Sequence, residues 1–580
     1  MGRLRPLLDR ILSSRDETLL GFGALLVAAV MLFSGLGTLP LMQPDEGRNA
    51  EVGREMAVSG SWLVPTLEGH PYLDKPAAYF AAVAVSVRAF GVNEWGARVP
   101  SALCGGLILV FLYLFLRRRY DLATARLAVI VAATSPMMFA FSRIVIMDIM
   151  LALCTVAAIL AAYIAEDGAS PDRRWHAVGA AAVGAGMLVK GPVGALVPAA
   201  VLVAVFWADG RPRALRRVFA PWNFLIVLGL FLPWFVGLVY VHPEFFHYGV
   251  IEESLGRFFT PAFNRGQPFW YFGPVLLVTF FPWTVLFVPM VIAVWSARKR
   301  LTRTDRLFVA WAIVVIVFFS LSRTKQPGYI LTGVIASAVL VARGLGYAWQ
   351  NREGRAARLV LRGTLALAAL ALAIGGAVGV LVGRGGADAG RLAGMAVRER
   401  AFWSMWPTFL IVFLAVAFVG SAAFATHRVG LAVVAFAIFP LALVTVLLPA
   451  LEGYARTRSA KPLAEALASL PGGTEVACLD SYPAGLSFYL GRTLTLIGED
   501  ATPLRSNFVL YWMRHAPVRP ASLVALAERD AWLASRESAA IILAPDSSRT
   551  ALDEWLGSRF PVRATAAGWW AVSFPGPEAD

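Results

Sequence analysis

Charged residues and cysteines are both scarce in this chain of 580 residues. Only 15% of the residues are charged and 58% are hydrophobic, whereas soluble domains are usually about 25% charged and about 45–50% apolar. This composition excludes a soluble enzyme, a disordered protein and a fibre. The three cysteines cannot supply a disulfide framework or a CxxC metal site, and we expect them to be small buried side chains.

The chain contains many long apolar runs. A helix that spans a membrane needs about 20 mostly apolar residues, and the first such run covers residues 18–40. Further runs are centred near residues 107, 131, 156, 182, 199, 231, 283, 313, 337, 371, 415 and 439. The pattern predicts a polytopic α-helical membrane protein with about 13 transmembrane helices in residues 1–451.

The arginines indicate which loops face the cytoplasm. They occur in short clusters at every second turn, and cytoplasmic loops are rich in Lys and Arg. All clusters fall on one side only if residues 77–90 do not cross, so we predict an amphipathic helix on the outer membrane surface there. Cytoplasmic loops account for the net charge of +15 without a nucleic-acid partner. The clusters are residues 117–119, 173–174, 211–217, 298–306 and 352–362.

This topology places the remaining polar segments of the membrane region on the outer face. Their convergence predicts a site at the outer membrane–water boundary. The segments are residues 44–75, 142–148, 190–192, 242–268 and 322–329.

Residues 452–580 have the mixed composition of a small α/β domain on the outer side. They contain no nucleotide-binding motif. We expect this domain to hold no catalytic residue, and to cover the site or help to select the molecule that binds there. Its patterns predict helices over 461–470 and 521–536, strands over 474–479, 539–543 and 569–574, and a hairpin over 486–497.

Two carboxylates are the candidates for catalysis. Asp45 follows the first span directly, and its structural alternative is a helix N-cap. Asp148 opens an apolar run, where an ionisable group is costly without a role or a partner; its alternative is a surface pair with Arg143. Glu46, Arg48 and Arg54 share the segment of Asp45 and either bind substrate or belong to a solvated amphipathic helix.

Three lysines lie on the face that positive charge normally avoids. Lys75, Lys190 and Lys325 each stand near a predicted helix boundary, and Tyr329 follows the last of them closely. They either contact anionic lipid headgroups or converge on a phosphate or pyrophosphate group.

The outer segments resemble those of a known family. Residues 44–56, followed by 60–65 and by Asp74-Lys75-Pro76, are similar to the first outer loop of the GT-C glycosyltransferases. The likeness is to the branch that contains bacterial lipid A 4-amino-4-deoxy-L-arabinose transferases and relatives of the protein O-mannosyltransferases. Further similar blocks follow in the same order over residues 142–148, 190–192, 267–274, 282–283 and 322–331.

The resemblance implies a GT-C fold and an inverting transfer of a sugar from a polyprenyl phosphate. The acceptor would be a lipid such as lipid A, a glycan or a protein. By motif position Asp45 corresponds to the catalytic carboxylate and Asp148 to a second acid. Residues matched to the donor phosphate are Lys75, Arg257 and Tyr329, and Asp74 is a candidate ligand for a divalent metal ion.

The expected location is the bacterial cytoplasmic membrane, with the site and the C-terminal domain extracytoplasmic. The alternative function is a transporter or flippase of a lipid-linked sugar. Transporters place ionisable residues near the middle of the bilayer, often on broken helices. In this sequence the acids and lysines collect at one predicted face, which favours the enzyme.

The topology is tested with reporter fusions. A reporter inserted before Tyr72 and another inserted after Gly91 are both expected outside, because residues 77–90 are predicted not to cross the membrane. A cytoplasmic signal from the fusion after Gly91 would contradict the outer-face site.

Overall fold

The computed structural model describes residues 4–168, 170–256, 266–287, 289–290, 301–381, 406–471, 474–500, 502–515, 522–536, 540–556, 562–566 and 568–574. Helices dominate up to residue 457, which confirms the polytopic α-helical membrane fold. They are α1 (Leu4–Phe33), α2 (Asp45–Ser59), α3 (Ala78–Phe90), α4 (Glu94–Arg119), α5 (Leu122–Ala133), α6 (Pro136–Phe141), α7 (Asp148–Ala165), α8 (Arg173–Lys190), α9 (Val193–Ala208), α10 (Pro212–Val218), α11 (Pro221–Val241), α12 (Glu244–Phe246), α13 (Phe272–Thr279), α14 (Arg303–Leu321), α15 (Leu331–Gln350), α16 (Arg355–Leu381), α17 (Trp406–Ala425) and α18 (Val429–Thr457).

Seven of the described helices are long and apolar enough to cross a membrane, and shorter apolar helices accompany them. Helices cover twelve of the thirteen predicted centres. Near residue 283 the chain turns instead, and helical structure returns only at residue 284. Pro282 lies in this turn and has no N–H group to donate to a continuing helix. The total of thirteen spans stays a prediction.

Ion pairs join the arginine-rich ends of the helices. Arg119 contacts Asp167, Arg217 contacts Glu166, and Arg306 contacts Asp209 at 2.6 Å. Glu166 and Asp167 directly follow the last residue of α7, whereas Asp148 is the first residue of this helix. At about 1.5 Å per residue, the 18 residues of α7 separate these two levels by about 27 Å.

Helix α3 is the segment predicted to lie on the membrane surface. It has 13 residues and packs between α2 and α4, with Tyr79, Phe80 and Val83 fully buried. Gly53 of α2 allows this approach, because a side chain there would meet Val83 at 2.4 Å. The helix is as predicted, and its place relative to the bilayer stays a prediction.

The C-terminal region folds around a six-stranded sheet. After the two short strands β1 (Thr66–Leu67) and β2 (His70–Pro71) of the outer loop, the sheet strands are β3 (Glu475–Leu479), β4 (Thr495–Ile497), β5 (Leu523–Val524), β6 (Ala540–Pro545), β7 (Val562–Ala566) and β8 (Trp569–Phe574). Their order is β5-β4-β3-β6-β8-β7. The first four in this order are parallel, and β8 and β7 are antiparallel to their neighbours. Helices α19 (Lys461–Ala466), α20 (Leu486–Leu490), α21 (Asn507–His515), α22 (Arg529–Ala534) and α23 (Arg549–Leu556) complete the region.

Three sequence predictions for this region are corrected. The hairpin over 486–497 is wrong, because Leu486–Leu490 is a helix bounded by Gly485 (φ 92°) and Gly491 (φ 69°). Such positive φ values suit glycine at helix ends, and the helix is part of the crossover that brings β4 parallel to β3. The helix predicted over 521–536 begins with β5 and is helical only from Arg529 to Ala534. The boundary at 451/452 falls inside α18.

The C-terminal region packs against the segment between α1 and α3. Gly47 in α2 lies against the backbone of Ala484, where a side chain would meet the carbonyl oxygen at 2.5 Å. Glu68 and Gly69 form the two-residue turn between β1 and β2, both with positive φ. This turn brings Glu68 to the C-terminal region, where Tyr482 donates to it at 2.7 Å and the Leu494 amide donates at 2.7 Å.

Glu68 is the titratable centre of this interface. Its burial, reinforced by the nearby Glu55 carboxylate, raises the pKa of Glu68 to about 7. Ser487, Tyr482 and the Leu494 amide oppose the shift by hydrogen bonding to the carboxylate. The folded protein therefore holds this proton more tightly than the unfolded chain, whose pKa is 4.5.

Stability is expected to depend on pH through Glu68. Its contribution is complete below pH 4.5 and is lost as the pH rises through about 7. Glu68→Gln removes the titration, because an amide does not ionise. The glutamine amide can still hydrogen-bond to the hydroxyls of Ser487 and Tyr482, so the contacts are kept. We expect the Tm measured in detergent to fall less between about pH 5 and about pH 8 in this variant. Glu475→Gln in the same sheet is the matched control, and an equal flattening there would contradict the assignment.

Candidate active site

The described residues enclose a cavity of about 660 Å³ whose walls are mostly apolar. Phe231, Trp234 and Phe235 of α11 form part of these walls. Charged side chains also belong to the lining. These are Asp74, Lys75, Asp148, Lys190 and Glu253, and Tyr329 lies beside Lys190.

Asp148 and Lys190 meet because of where their helices begin and end. Asp148 is the first residue of α7 and Lys190 is the last residue of the neighbouring α8. Lys190 Nζ donates to Asp148 Oδ1 at 2.8 Å, and it lies 5.1 Å from the centroid of the Tyr329 ring. The alternative pairing with Arg143 is not formed, since Arg143 donates to the carbonyl of Met31 at 3.1 Å.

Lys75 lies in the same cavity with a different carboxylate. Its Nζ contacts Glu253 Oε1 and donates to the Asp74 carbonyl at 2.6 Å. Both side chains are mostly buried, at 16% and 14% exposure. Glu253 belongs to the polar segment of residues 242–268 and was not among the candidate site residues. A lysine on the outer face that needs a buried partner was the signal that pointed to such an acid.

Lys325 does not line the cavity. Lys325 is buried and donates to the carbonyls of Gln267 and Ser322, the first at 3.0 Å. It holds together a loop of which Ser322 and Thr324 line the cavity, while Lys325 itself does not. Arg257 lies outside the described residues.

Asp45 stands beside the large cavity rather than in its lining. It begins α2, and Pro44 occupies the N-cap position, so the N-cap alternative is not formed. The Asp45 side chain is 53% exposed and accepts from Arg48 at 2.6 Å. Arg48 in turn lies 5.8 Å from the centroid of the Tyr72 ring.

Electrostatics connect this pair to the cavity. Burial opposes the charge of Arg48, but Tyr72, Asp45 and Asp74 outweigh it and raise the pKa of the guanidinium. Burial also raises the pKa of Tyr72, which therefore keeps its proton. Arg48 therefore interacts with Asp45 directly and with the charge of Asp74, which lines the large cavity.

Glu46 and Arg54 are buried in internal ion pairs, which corrects their reading as residues of a solvated helix. The Glu46 carboxylate accepts two bonds from Arg98, both at 2.9 Å, and one from the Val145 amide at 3.1 Å. Arg54 donates to both oxygens of Glu51 at 2.6 and 2.7 Å. Neither Glu46 nor Arg54 lines the cavity.

Asp74 joins three parts of the chain. Its Oδ1 accepts from the Tyr248 hydroxyl at 2.7 Å and from the Phe508 amide at 2.8 Å. Within the described ranges, the acids, histidines and cysteines close enough to share a metal ion are Glu51, Glu55 and Glu68, and Asp74 is not among them. The observed contacts make Asp74 a link between the outer loops and the C-terminal region.

Comparison with known proteins agrees with this geometry. Residues 74–236 match the family described as dolichyl-phosphate-mannose-protein mannosyltransferase. Over 324 residues the chain is 29% identical to the undecaprenyl phosphate-alpha-4-amino-4-deoxy-L-arabinose arabinosyl transferase of Serratia proteamaculans, covering 55% of this chain and 58% of that protein. The Erwinia tasmaniensis protein of the same name is 31% identical over 307 residues, with 52% and 55% covered. The chain thus spans less than two thirds of the length of these relatives.

The fold comparison extends over nearly the whole chain. The crystal structure of ArnT from Cupriavidus metallidurans bound to undecaprenyl phosphate matches with a TM-score of 0.80 and 25% identity. It covers 96% of this chain and 97% of that one. The protein therefore has the GT-C fold, and it resembles the polyprenyl-phosphate-dependent glycosyltransferases that the sequence blocks indicated.

Proposed function

We propose that the protein is an integral-membrane glycosyltransferase that moves a sugar from a polyprenyl phosphate to an acceptor. The observation that carries this proposal is the large cavity, whose mostly apolar lining also contains two lysines, each paired with a carboxylate. An apolar wall suits a prenyl chain. Lysine ammonium groups suit the phosphate at the end of that chain.

The donor phosphate would contact Lys75 and Lys190. Each lysine is paired with a carboxylate, Glu253 or Asp148, so both are already held in place. A bound phosphate would share or replace these partners and keep the lysine charge compensated. The ammonium groups would then stabilise the negative charge that develops on the leaving phosphate oxygen. The adjacent Tyr329 ring would help to position Lys190.

Asp45 is the residue that we propose to act on the acceptor. With a hydroxyl acceptor, its carboxylate would take the proton while the acceptor oxygen forms a bond to the anomeric carbon. The bond from that carbon to the donor phosphate oxygen breaks, and its electron pair leaves with the polyprenyl phosphate. A single displacement of this kind inverts the anomeric centre. The exposure of Asp45 keeps it accessible to an incoming acceptor.

The relatives suggest the class of donor and the location. Their names specify an undecaprenyl phosphate carrier with 4-amino-4-deoxy-L-arabinose. For this protein we propose an undecaprenyl-phosphate-linked sugar as donor, and a lipid such as lipid A, a glycan or a protein as acceptor. We place the reaction at the outer face of the bacterial cytoplasmic membrane, with residues 452–580 on the same side.

The positions of the charged residues favour an enzyme over a transporter. Asp148 begins α7, Lys190 ends α8, and Lys75 and Tyr329 each precede a helix. Such positions are at the level of helix ends, whereas transporters hold substrates near the middle of broken helices.

Asp45→Asn is expected to abolish sugar transfer while the protein still folds and inserts. The substitution keeps the shape of the side chain but removes the proton acceptor. Transfer is measured by mass spectrometry of glycolipids, glycans and glycoproteins in cells without the protein, after complementation with each variant. Asp553→Asn, which alters an exposed pair with Arg549, is the control. Transfer by Asp45→Asn at the level of this control would remove Asp45 from the reaction.

Lys75→Ala is expected to weaken binding of undecaprenyl phosphate to the purified protein. A charge-assisted contact is worth about 1.5–3 kcal/mol, so the Kd should rise about ten- to a hundredfold. Lys461→Ala removes a lysine paired with Glu94 outside the cavity and is the matched control. Equal Kd values in wild type and Lys75→Ala would assign Lys75 to the structure of the loop instead.

A further inference from the structure

Helix α2 holds the segment that leads to Asp148. Residues 142–147 connect α6 to α7 through turns rather than a helix, and buried backbone groups in such a segment need hydrogen-bond partners outside it. At Val145, which is fully buried, both partners are side chains of α2. Asn49 donates from Nδ2 to the Val145 carbonyl at 2.8 Å, and Glu46 accepts from the Val145 amide at 3.1 Å.

The two contacts come from one face of α2, because residues three apart are neighbours on a helix surface. Asn49 is 3% exposed, so its bond to the carbonyl is closed to water. Glu46 is itself fixed, since its carboxylate also accepts from Arg98 and from the Met42 amide. Helix α2 therefore holds Val145 through both of its backbone groups.

This contact joins the two sides of the proposed reaction. Asp45 directly precedes Glu46 in α2, and Asp148 lies three residues after Val145 and pairs with Lys190 at 2.8 Å. We propose that Asn49 is a positioning residue, which through Val145 sets where the Asp148–Lys190 pair lies relative to Asp45. The inference rests on the proposed glycosyltransferase function. Asn49 does not line the large cavity, so it acts through these residues and not on the substrate.

The effect on the reaction follows from the precision that the chemistry needs. Reacting groups must approach to about 3–3.5 Å in the right orientation, and a misplacement of about 1 Å can cost about a hundredfold in rate. Three residues of chain reach at most about 11 Å, so a displacement of Val145 passes directly to the start of α7. The ammonium group at the donor phosphate and the carboxylate at the acceptor would then no longer be aligned.

Asn223 offers a matched control. It is also a buried asparagine, at 7% exposure, and its Nδ2 donates to the carbonyls of Arg217 and Val218 at 2.8 and 3.1 Å. Arg217 pairs with Glu166, which follows the last residue of α7, whereas Asp148 is the first. The same kind of bond is therefore made near the other end of α7, away from the charged residues of the large cavity.

The test measures transfer and donor binding separately in variants of the full chain. Asn49→Ala and Asn49→Leu remove the amide, and the leucine keeps the space filled. Transfer is followed over time by mass spectrometry in complemented cells and divided by the amount of folded protein in the membrane. We expect it to fall about ten- to a hundredfold, while the Kd of the purified protein for undecaprenyl phosphate stays within about twofold of wild type. Asn49→Gln, which keeps an amide on a longer side chain, should recover part of the transfer.

Asn223→Ala should lower the Tm to a similar extent and keep transfer per folded protein at the wild-type level. Equal transfer by Asn49→Ala and Asn223→Ala would overturn the inference and leave Asn49 a part of the fold alone. A Kd that rises in step with the loss of transfer would also overturn it, because Asn49 would then act on donor binding. If Asn49→Ala does not fold, equal transfer by Asn49→Leu and Asn49→Gln has the same meaning. Absence of any product from wild type would instead contradict the proposed function itself.

Discussion

The ion pair between Asp148 and Lys190 is the interaction on which the charged part of the large cavity depends. Burying one charge alone costs several kcal/mol, and a buried pair is tolerated only when each partner compensates the other. The antiparallel arrangement of α7 and α8 satisfies this condition, because the first residue of one meets the last residue of the other. The same pair holds Lys190 beside the ring of Tyr329. Lys75 and Glu253 repeat this arrangement with residues from two outer loops.

Much of this site follows from the sequence because membrane physics restricts where charges lie. The alternation of arginine clusters assigned one side to the loops, and the remaining ionisable residues had to share the other. Asp148, Lys75, Lys190 and Tyr329 do meet in one cavity, although up to 254 positions separate them in the chain. The carboxylate that pairs with each lysine could not be predicted from the sequence, because pairing depends on distances between segments that hydropathy does not specify. For the same reason the burial of Glu46 against Arg98 and of Arg54 against Glu51 did not follow from the sequence, and binding of substrate by these residues stays a prediction.

In the C-terminal region the local sequence pattern was not sufficient to predict the secondary structure. Residues 486–497 alternate in a way that suits a hairpin, yet the glycines at 485 and 491 end a short helix between two parallel strands. Pattern also gave no indication of how this region contacts the outer loops. Gly47, Glu68 and Asp74 each meet it through backbone or hydrogen-bond contacts that only the assembled fold brings together. Apolar side chains such as Met56, Leu67 and Phe488 also share one buried core across this interface. The apolar character of a residue does not reveal which distant segment it will pack against.

These contacts also link the large cavity to a small polar cavity whose lining includes Gln43, Arg48, Tyr482 and Arg505. Asp74 lines the large cavity and accepts from the backbone of Phe508, while Arg48 lines the small cavity and donates to the backbone of Arg505. Phe508 and Arg505 are three residues apart on one segment of the C-terminal region. A shift of that segment would therefore disturb both cavities at once.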